Sequence, residues 1–544
     1  MLKSQKLVFV PLGGSGEIGM NLNLYGYQNQ WIIVDMGMTF GHKLGIDLIV
    51  PSIRYLEGKN ILGIVATHGH EDHIGAIPYL WEKVQCPIYA TPFTSILIKR
   101  KLMEAYIDDS ILHTLSLNAR FDLGPFDIQL ITMTHSILEP NALAIRTPKG
   151  NIFHTGDWKL DPNPLIGEST DWKAIESFAK EGILAVVSDS TNALEEGSTP
   201  SEMEARHEIS HAIAGHKQTV AITCFASNVA RLESIVHAAH EHGRKPVIVG
   251  RSLWKMLDAA QSSGYLKNLP AVYDEDDFNS IAPSERLVVC TGSQGEPRSA
   301  LFKMATGQHP RVKLAFGDVV IFSSRVIPGN EIEVSKVRNH LSRLGVHIIT
   351  PRGTSLHVSG HPSQDDLKEL YKWLKPRICI PVHGEHRHMK AHARIAEELG
   401  VSYTFIPQNG QALSIKEDGV EVIEEFEAIP CAVDGNQVVP LNHQTFRDRH
   451  KLMMSGVVLA SLWIDKKGEL LEAYVDCMGV YEVDDGMFDR LEDAVFMCYE
   501  GLTMDGNIPS LTTIEEKVRA LLRQEIMTYT GKKPVCVVHV MEDK

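Results

Sequence analysis

The sequence lacks the features that would direct it into a membrane or out of the cell. No apolar run in its 544 residues approaches the ~20 residues that are needed to span a bilayer. The opening segment MLKSQKLVFVPLGG leads directly into a predicted strand and has neither the long apolar core nor the cleavage site of a signal peptide. We therefore expect a cytoplasmic protein without membrane contact.

Paired cysteines and positive charge are also scarce. The eight cysteines are widely spaced and include no CxxC pair, so buried reduced thiols are predicted in place of a disulfide framework. The formal net charge of −15 argues against nonspecific coating of nucleic acid, because phosphate binding normally needs clustered Lys and Arg. Any nucleic acid would have to be held in a local groove where metal ions supply positive charge.

Internal repeats and low-complexity tracts are absent as well, and the length predicts about three or four folding units. The first 200 or so residues contain short apolar strands, Gly-rich loops and helices. From about Ser201 the pattern changes to the alternation of a parallel α/β sheet, with a strand over Thr219–Cys224, a helix over Ala230–His242 and a strand over Pro246–Val249. A histidine-rich stretch then returns near residue 383, which favours one domain inserted into another.

The predicted α/β organisation has five segments. Residues 1–200 and 351–430 form one domain, residues 201–350 form the inserted domain, residues 431–459 are a linker, and residues 460–544 form a small C-terminal α/β domain. Three features define the C-terminal domain: a hairpin over Val457–Ile464 and Leu470–Val475, a final strand over Val535–Val540, and a helix start with capping-box spacing at Thr513 and Glu516.

The densest chemical signal is an HxHxDH motif directly after an apolar strand. It places His68, His70, Asp72 and His73 within six residues, so one loop could supply ligands to two metal ions. Imidazole and carboxylate ligands suit Zn²⁺ or Mn²⁺. A polar surface loop with coincidental histidines is the alternative, and the rest of the chain argues against it.

Further candidate ligands stand at the ends of other apolar strands. Taken singly, each would more often be a turn or capping residue than a ligand. They are Asp35 in IIVDMG, His135 in LITMTH, Asp157 in IFHTGD, Asp189 in AVVSDS and His383 in CIPVHG. Together with the HxHxDH motif they match in order the motif series of the metallo-β-lactamase superfamily, which the chain therefore resembles.

This resemblance implies an αββα sandwich with two metal ions at one edge between the sheets. It assigns His68, His70 and His135 to the first metal and Asp72, His73 and His383 to the second. Asp157 would bridge both ions, and Asp35 would orient the motif loop from outside the ligand shell. Five other histidines have no comparable placement and are expected to be structural: His42, His113, His154, His386 and His388.

The chain is also similar to the ribonuclease J family, a branch of the β-CASP nucleases. Asp189, His361 and His383 follow the order of the β-CASP motifs A, B and C, and a histidine at the third motif goes with RNA substrates. The segment His357-Val358-Ser359-Gly360-His361 is very similar to a stretch of that family. Further matches are PLGGSGEIGMN, CFASNVAR and VVCTGSQGEPRSAL. The inserted segment would then be a β-CASP domain.

The same resemblance implies roles for these residues. His361 would donate a hydrogen bond to the scissile phosphate, with protonation of the leaving oxygen as a further role. Asp189 would orient a neighbouring histidine, while direct general-base use of Asp72 or Asp189 stays open. The pocket for a terminal phosphate would be formed by His357, Val358, Ser359, Gly360 and His361, with Ser227 and Asn228 as helpers. A helix N-cap before Val229 is an equal alternative for Ser227 and Asn228.

The predicted function is a metal-dependent 5′ to 3′ exoribonuclease with endonuclease activity, acting in rRNA processing and mRNA decay. It would use two divalent ions per subunit, Zn²⁺ or Mn²⁺ with Mg²⁺ as a further candidate, and would prefer RNA with a 5′-monophosphate. By resemblance it would assemble as a homodimer or homotetramer. The alternatives are an endonuclease-only RNA 3′-end processing factor, a small-molecule metallohydrolase such as a thioesterase, and a non-catalytic scaffold.

Overall fold

The computed structural model of the chain describes residues 5–41, 45–480 and 485–542. The chain divides into two compact units. One consists of Met1–Phe40 and Leu48–Val433, and the other consists of Gly41–Asp47 and Asp434–Lys544.

Two facing sheets form the centre of the first unit. Within the described residues, one sheet has the strand order Gly419–Glu425, Gln411–Lys416, Leu7–Gly13, Leu22–Tyr27, Gln30–Val34, Asn60–Val65, Ile88–Ala90 and Leu112–Thr114. The other has the order Arg120–Leu123, Phe126–Thr132, Asn141–Thr147, Gly150–His154, Ala185–Asp189, Ile378–Val382 and Tyr403–Thr404. Phe9 and Val34 of the first sheet share one buried core with Ile128, Val187 and Ile380 of the second.

Helices flank this sandwich because the apolar stripe of each helix is buried when it packs against a face of a sheet. Ile175, Phe178, Leu367 and Ile395, from three helices, are buried in a cluster with residues of the second sheet. The helices of this domain are Glu71–Ile74, Ile77–Val84, Pro92–Glu104, Trp172–Lys180, Gln364–Leu374 and His386–Glu398. The fold is therefore the αββα sandwich that the sequence predicts.

The segment of chain between the strands Ala185–Asp189 and Ile378–Val382 forms a separate parallel sheet. Its order is Lys245–Val249, Arg286–Cys290, Val220–Thr223, Val319–Phe322 and His347–Ile349, and every pairing is parallel. The accompanying helices are Glu202–Ile213, Val229–Glu241, Arg251–Ser262, Ala300–Ala305 and Glu331–Arg343. Apolar clusters cover the sheet on both faces, as expected for strands that are apolar throughout. The predicted βαβ alternation is confirmed.

Shorter elements complete the first unit and the segment after it. The short strands are Ser15–Gly16, Thr39–Phe40, Leu48–Val50, Gly384–Glu385, Cys431–Asp434 and Gln437–Pro440. Short 3₁₀ helices occur at Arg54–Leu56, Asp109–Ile111, Glu275–Ser280 and Pro283–Glu285. The pairing of Ser15–Gly16 with Gly384–Glu385 is parallel and holds the loop that follows the first strand beside His383.

The C-terminal unit contains a small α/β domain. The predicted hairpin is present as antiparallel strands Val457–Ile464 and Leu470–Met478, and Val535–Glu542 pairs parallel to the first of them. The helices are Gln444–Ser455, which lies inside the predicted linker, Asp485–Thr503 and Leu511–Thr530. The capping-box prediction was wrong. Ser510 caps the last helix by accepting the Thr513 amide, because Ile514, Val518 and Leu522 set the buried stripe from the next turn onward.

The structure bears on two predictions, the lack of a membrane-spanning helix and the reduced state of the cysteines. None of the helices in the described ranges is long and apolar enough to cross a membrane. All eight cysteines are free, and six of them are buried. Reduced thiols were predicted, and the structure has no disulfide among these residues.

Candidate metal centre

The predicted ligands come together at one edge of the sandwich, where several strands end. Because the carboxyl ends of neighbouring parallel strands meet at one sheet edge, side chains far apart in sequence become neighbours there. Asp35 directly follows Gln30–Val34, the HxHxDH motif follows Asn60–Val65, His135 follows Phe126–Thr132, Asp157 follows Gly150–His154, and His383 follows Ile378–Val382. The motif itself starts a helix at Glu71, so Asp72 and His73 lie in its first turn.

The first group of candidate ligands consists of His68, His70, His135 and Asp157. Nδ1 of His70 lies 3.1 Å from Nε2 of His68 and 3.1 Å from Nε2 of His135. Oδ2 of Asp157 is 3.8 Å from each of those two Nε2 atoms. Three ring nitrogens and one carboxylate oxygen thus converge on one small volume.

The second group consists of Asp72, His73, Asp157 and His383. Oδ2 of Asp157 is 3.2 Å from Nε2 of His73 and 3.4 Å from Nε2 of His383. Oδ2 of Asp72 is 3.6 Å from the same atom of His73 and 3.8 Å from that of His383. The single oxygen of Asp157 therefore faces both groups.

The charges in the two groups fit divalent cations. Burial lowers the pKa of His68 and His135 well below its usual value and that of His70 to about 4, so these rings are neutral and have lone pairs to donate. Burial also lowers the pKa of His73, but Asp157 and the other nearby carboxylates outweigh it and raise this pKa well above its usual value. The buried carboxylates thus attract positive charge, and the two groups together have the donor chemistry of a site for divalent metal.

In each candidate histidine that faces its ligand group with Nε2, the other ring nitrogen, Nδ1, lies next to a hydrogen-bonding partner. Nδ1 of His68 is 3.0 Å from Oγ1 of Thr67, and Nδ1 of His73 is 2.7 Å from Oδ2 of Asp35. Asp35 also accepts the Thr67 amide at 2.7 Å, and its backbone is left-handed with φ 63°. Such partners set the tautomer and the direction of the ring. The role predicted for Asp35, orientation of the motif loop, is consistent with these contacts.

Two of these partners were not predicted from the sequence. Oδ1 of Asn21 lies 3.0 Å from Nδ1 of His383, and the carbonyl oxygen of Gly360 lies 2.5 Å from Nδ1 of His135. Asn21 stands in the quoted PLGGSGEIGMN segment, whereas Gly360 was expected only in the phosphate pocket. The loop that includes Gly360 and His361 therefore also supports the first group of ligands.

His361 and the buried Asp189 form a pair beside the two groups. Nδ1 of His361 is 2.7 Å from Oδ2 of Asp189, and the His361 side chain is 22% exposed. Asp189 lies near ligand atoms of the second group, but its other oxygen accepts the amide and the hydroxyl of Thr191. These contacts are consistent with the predicted role of Asp189 in orienting His361, while Asp189 and His361 also belong to a third group of candidate metal ligands with Asp157 and His383.

The remaining residues of the predicted phosphate pocket differ in their surroundings: Ser359 accepts hydrogen bonds, whereas Val358 and His357 are buried or nearly so. Ser359 accepts a hydrogen bond from Nδ2 of Asn192 at 2.7 Å and from the His361 amide at 3.2 Å. Val358 is buried, and His357 is nearly so, with Nδ1 lacking a hydrogen-bond partner among the described residues. Burial lowers the pKa of His357 to about 3.

Ser227 and Asn228 stand at the start of the helix Val229–Glu241. Oδ1 of Asn228 accepts the Arg231 amide at 2.8 Å and Nδ2 lies 3.4 Å from Glu202, so the side chain caps the helix and is buried. Ser227 accepts the Val229 amide with its carbonyl oxygen at 3.0 Å. For Asn228 the contacts favour the capping alternative over phosphate binding.

The histidines expected to be structural lie outside both ligand groups, as far as the described residues go. His154 bonds the hydroxyl of Tyr25 at 2.9 Å, His113 stacks on Tyr89, and His388 accepts the Glu385 amide at 3.2 Å. His386 is exposed in the first turn of its helix. His42 lies outside the described residues.

Gly360→Ala is expected to weaken the first group of ligands. A Cβ atom at this position would lie 2.7 Å from two ring atoms of His135, and loss of an outer-shell partner typically costs about 10 to 100-fold in metal affinity or activity. Metal content by elemental analysis and RNA cleavage rate would measure the effect. Gly501→Ala is the control, because Gly501 lies in the helix Asp485–Thr503, outside the left-handed region, and no atom lies within 4 Å of its added Cβ. Equal metal content in both variants would contradict the role given to Gly360.

Comparison with known families gives matches along most of the chain. Residues 21–166 match the metallo-beta-lactamase superfamily, and residues 217–341 match "Ribonuclease J, beta-CASP domain". Residues 338–407 match "Zn-dependent metallo-hydrolase RNA specificity domain", and residues 444–543 match "Ribonuclease J C-terminal domain".

Curated relatives decide the family. The chain is 39% identical to "Ribonuclease J" of Sinorhizobium meliloti, over 99% of this chain and 98% of that protein. It is 34% identical to "Ribonuclease J 1" of Streptococcus pyogenes over 99% and 98%, and 36% identical to "Ribonuclease J" of Thermus thermophilus over 83% and 81%. The chain belongs to the ribonuclease J family.

Membership of the ribonuclease J family agrees with the geometry of the site. A crystal structure of a protein of unknown function from Enterococcus faecalis V583, 15% identical to this chain, has the same fold with a TM-score of 0.54, covering 75% of this chain and 99% of that one. The family makes the chain a hydrolytic, metal-dependent ribonuclease. A small-molecule metallohydrolase and a non-catalytic scaffold do not agree with these matches.

Proposed function

We propose that the protein is a two-metal ribonuclease that degrades RNA from the 5′ end and also cuts internally. The observation that carries this proposal is the position of Asp157, whose Oδ2 atom lies within 4 Å of nitrogen atoms from both groups of ligands. A carboxylate oxygen shared between two metal sites is a usual feature of enzymes that displace an oxygen at phosphorus. Removal of this carboxylate by Asp157→Ala is the experiment that tests the proposal, with metal content and RNA cleavage as the two measurements.

The residues of the chain divide the work of hydrolysis. His68, His70 and His135 would hold one ion and Asp72, His73 and His383 the other, with Asp157 between them. When bound, two divalent cations neutralise charge on the scissile phosphate and activate the attacking water. Zn²⁺ or Mn²⁺ suits this set of imidazoles and carboxylates, with Mg²⁺ as a further candidate.

His361 is the group proposed to act on the leaving oxygen. Burial lowers the pKa of its imidazole, but the Asp189 carboxylate and other nearby acids outweigh burial and raise this pKa to about 9. The ring then carries a proton at neutral pH, while Asp189 keeps its Nε2 edge turned toward the substrate side. His361 would donate this proton, or a hydrogen bond, to the phosphate as the bond breaks.

The substrate end is proposed to be a 5′-monophosphate, held by residues 357–361. Wild-type protein should degrade 5′-monophosphorylated RNA faster than 5′-triphosphorylated RNA, with nucleoside 5′-monophosphates as products. Ser359→Ala should lower the ratio of the two rates by about 10-fold or more, since a hydrogen bond to a charged group contributes about 1.5 to 3 kcal/mol.

Competition between the two labelled RNAs in one reaction would measure that ratio. Asn228→Ala is the control, because the Asn228 side chain caps a helix. It should lower the melting temperature without changing the ratio. An unchanged ratio in Ser359→Ala would contradict the pocket, even if both rates fell together.

The proposed setting is cytoplasmic RNA processing and decay by a homodimer or homotetramer. Ending the chain after Val433 removes the C-terminal part of the second unit while leaving every proposed ligand in place. This truncation should keep its metals but show fewer subunits per particle by light scattering, and slower cleavage of long RNA. The native number of subunits together with full activity would exclude a role of this domain in assembly or in cleavage.

A further inference from the structure

Thr191 belongs to neither ligand group but contacts two residues of the site. These are Asp189, which is proposed to orient His361, and His383, which is a proposed metal ligand. Thr191 follows the strand Ala185–Asp189 by two residues. Its hydroxyl oxygen lies 2.7 Å from Oδ1 of Asp189 and 3.1 Å from the carbonyl oxygen of His383, and its amide donates to the same Oδ1 atom at 2.8 Å. One side chain therefore lies between the residue that orients His361 and the backbone of a proposed metal ligand.

On the Asp189 side, Thr191 sets the direction of the carboxylate. The buried Asp189 has Oδ1 on the two donors of Thr191 and Oδ2 on Nδ1 of His361 at 2.7 Å. Rotation of this carboxylate would break the contacts on both oxygens at once. The single hydroxyl proton of Thr191 is shared in a three-centre hydrogen bond, with the shorter, charge-assisted branch to Oδ1 of Asp189 at 2.7 Å and the longer branch to the carbonyl oxygen of His383 at 3.1 Å.

On the His383 side, Thr191 faces a backbone in an unusual conformation. His383 has φ 49°, in the left-handed region that residues other than glycine rarely adopt. Its amide donates to the carbonyl oxygen of Gly14 at 2.6 Å, and its carbonyl oxygen faces the Thr191 hydroxyl. The surrounding structure must hold such a residue in place, and the contact with Thr191 is one of those that do so.

The residues next to Thr191 fix its own position. The hydroxyl of Ser190 lies 2.9 Å from Nδ1 of the buried His392. Nδ2 of Asn192 donates to Oγ of Ser359 at 2.7 Å and to the carbonyl oxygen of His361 at 3.2 Å. Because both neighbours are held by buried or nearly buried partners, Thr191 cannot move without disturbing them.

We propose that Thr191 is a positioning residue that keeps His361 aligned with His383 during cleavage. The inference rests on the proposed function, because alignment matters only if His361 acts on a phosphate held beside the metals. Thr191 itself touches neither substrate nor metal. It acts by restricting the Asp189 carboxylate and the His383 backbone.

The test compares three variants of the full chain. T191V replaces the hydroxyl with a methyl group of similar size, and T191S keeps the hydroxyl. T219V is the matched control, because the side chain of the buried Thr219 likewise hydrogen-bonds a buried carboxylate, that of Asp318, whose Oδ1 also accepts the Thr219 amide at 3.1 Å. Thr219 precedes the strand Val220–Thr223, at the end of that strand opposite to Ser227 and Asn228.

The expected effect is on the chemical step. T191V should lower kcat on RNA by about 10 to 100-fold, the usual cost of losing an orienting partner, while KM stays unchanged. T191S should restore most of the rate, and T219V should match wild type in kcat after correction for folded protein. T191V should slow the cleavage of RNA with a sulfur leaving atom less than that of ordinary RNA, since a sulfur leaving atom needs little protonation.

A measurement without catalysis tests the His383 side. Titration of metal-free protein with Mn²⁺ should show weaker binding of the second equivalent in T191V than in T219V or T191S. If T191V does not fold, as judged by circular dichroism, the same comparison is made with T191A.

The inference is overturned if T191V loses no more kcat than T219V, or if T191S is as impaired as T191V. It is also overturned if KM changes while kcat does not. A wild-type protein that does not cleave RNA in the same assay would instead contradict the proposed function, so the two failures are distinguishable.

Discussion

Asp157→Ala is expected to abolish RNA cleavage and metal retention together. The variant removes the one carboxylate oxygen that lies within 4 Å of nitrogen atoms from both groups of ligands. Metal ions supply several kcal/mol of transition-state stabilisation, so we expect a loss of at least about 10³-fold in rate. Elemental analysis and a labelled-RNA assay on the same preparation would measure both effects.

Asp161→Ala is the matched control for that variant. Asp161 is also a buried carboxylate of the same segment, but it bonds the Ser201 hydroxyl and the Glu202 amide, and it lies 3.3 Å from Nζ of Lys159. We expect lower stability with the metal content retained. Two bound metals and full activity in Asp157→Ala would refute the assignment of the site.

His383→Ala and His361→Ala are both expected to lose activity, but for different reasons. His383 is assigned as a ligand, so its variant should lose or loosen the second metal, and added Mn²⁺ or Zn²⁺ should partly restore activity. His361→Ala should keep both metals and lose about 10² to 10⁴-fold in the chemical step, the usual contribution of a positioned acid or donor. Added metal should not restore that loss.

RNA with a sulfur leaving atom identifies what His361 does. If His361 protonates the leaving oxygen, His361→Ala should slow the cleavage of this substrate much less, because a thiolate leaves without a proton. Equal losses on both substrates would make His361 an electrostatic or positioning residue. Loss of metal from His361→Ala would contradict its separation from the ligands.

The ligand groups were predictable because their signals are local. A histidine or aspartate directly after an apolar strand can be read from sequence alone, and the order of Asp35, His135, Asp157 and His383 fits the family series. The parallel sheet formed by the chain between Asp157 and His383 was predictable for a similar reason, since apolar strands and helices alternate regularly along that segment.

The supporting contacts were not predictable because they join distant segments. Asn21 and His383 are 362 residues apart, and Gly360 and His135 are 225 residues apart. No local pattern marks Asn21 as a hydrogen-bond acceptor for that ring. The capping box failed for a different reason: Ser510 and Thr513 both bear hydroxyl groups, and burial of Ile514 and Val518 decided which of them starts the helix.

The central claim is that two divalent cations and this set of histidines and aspartates cut RNA. The most direct test is to remove all metal from the full chain, then add Mn²⁺ stepwise while following 5′-monophosphorylated RNA. The account predicts no cleavage in the metal-free protein and nucleoside 5′-monophosphates that appear as the second equivalent binds. Cleavage by the metal-free protein, or full activity with one equivalent bound, would contradict it.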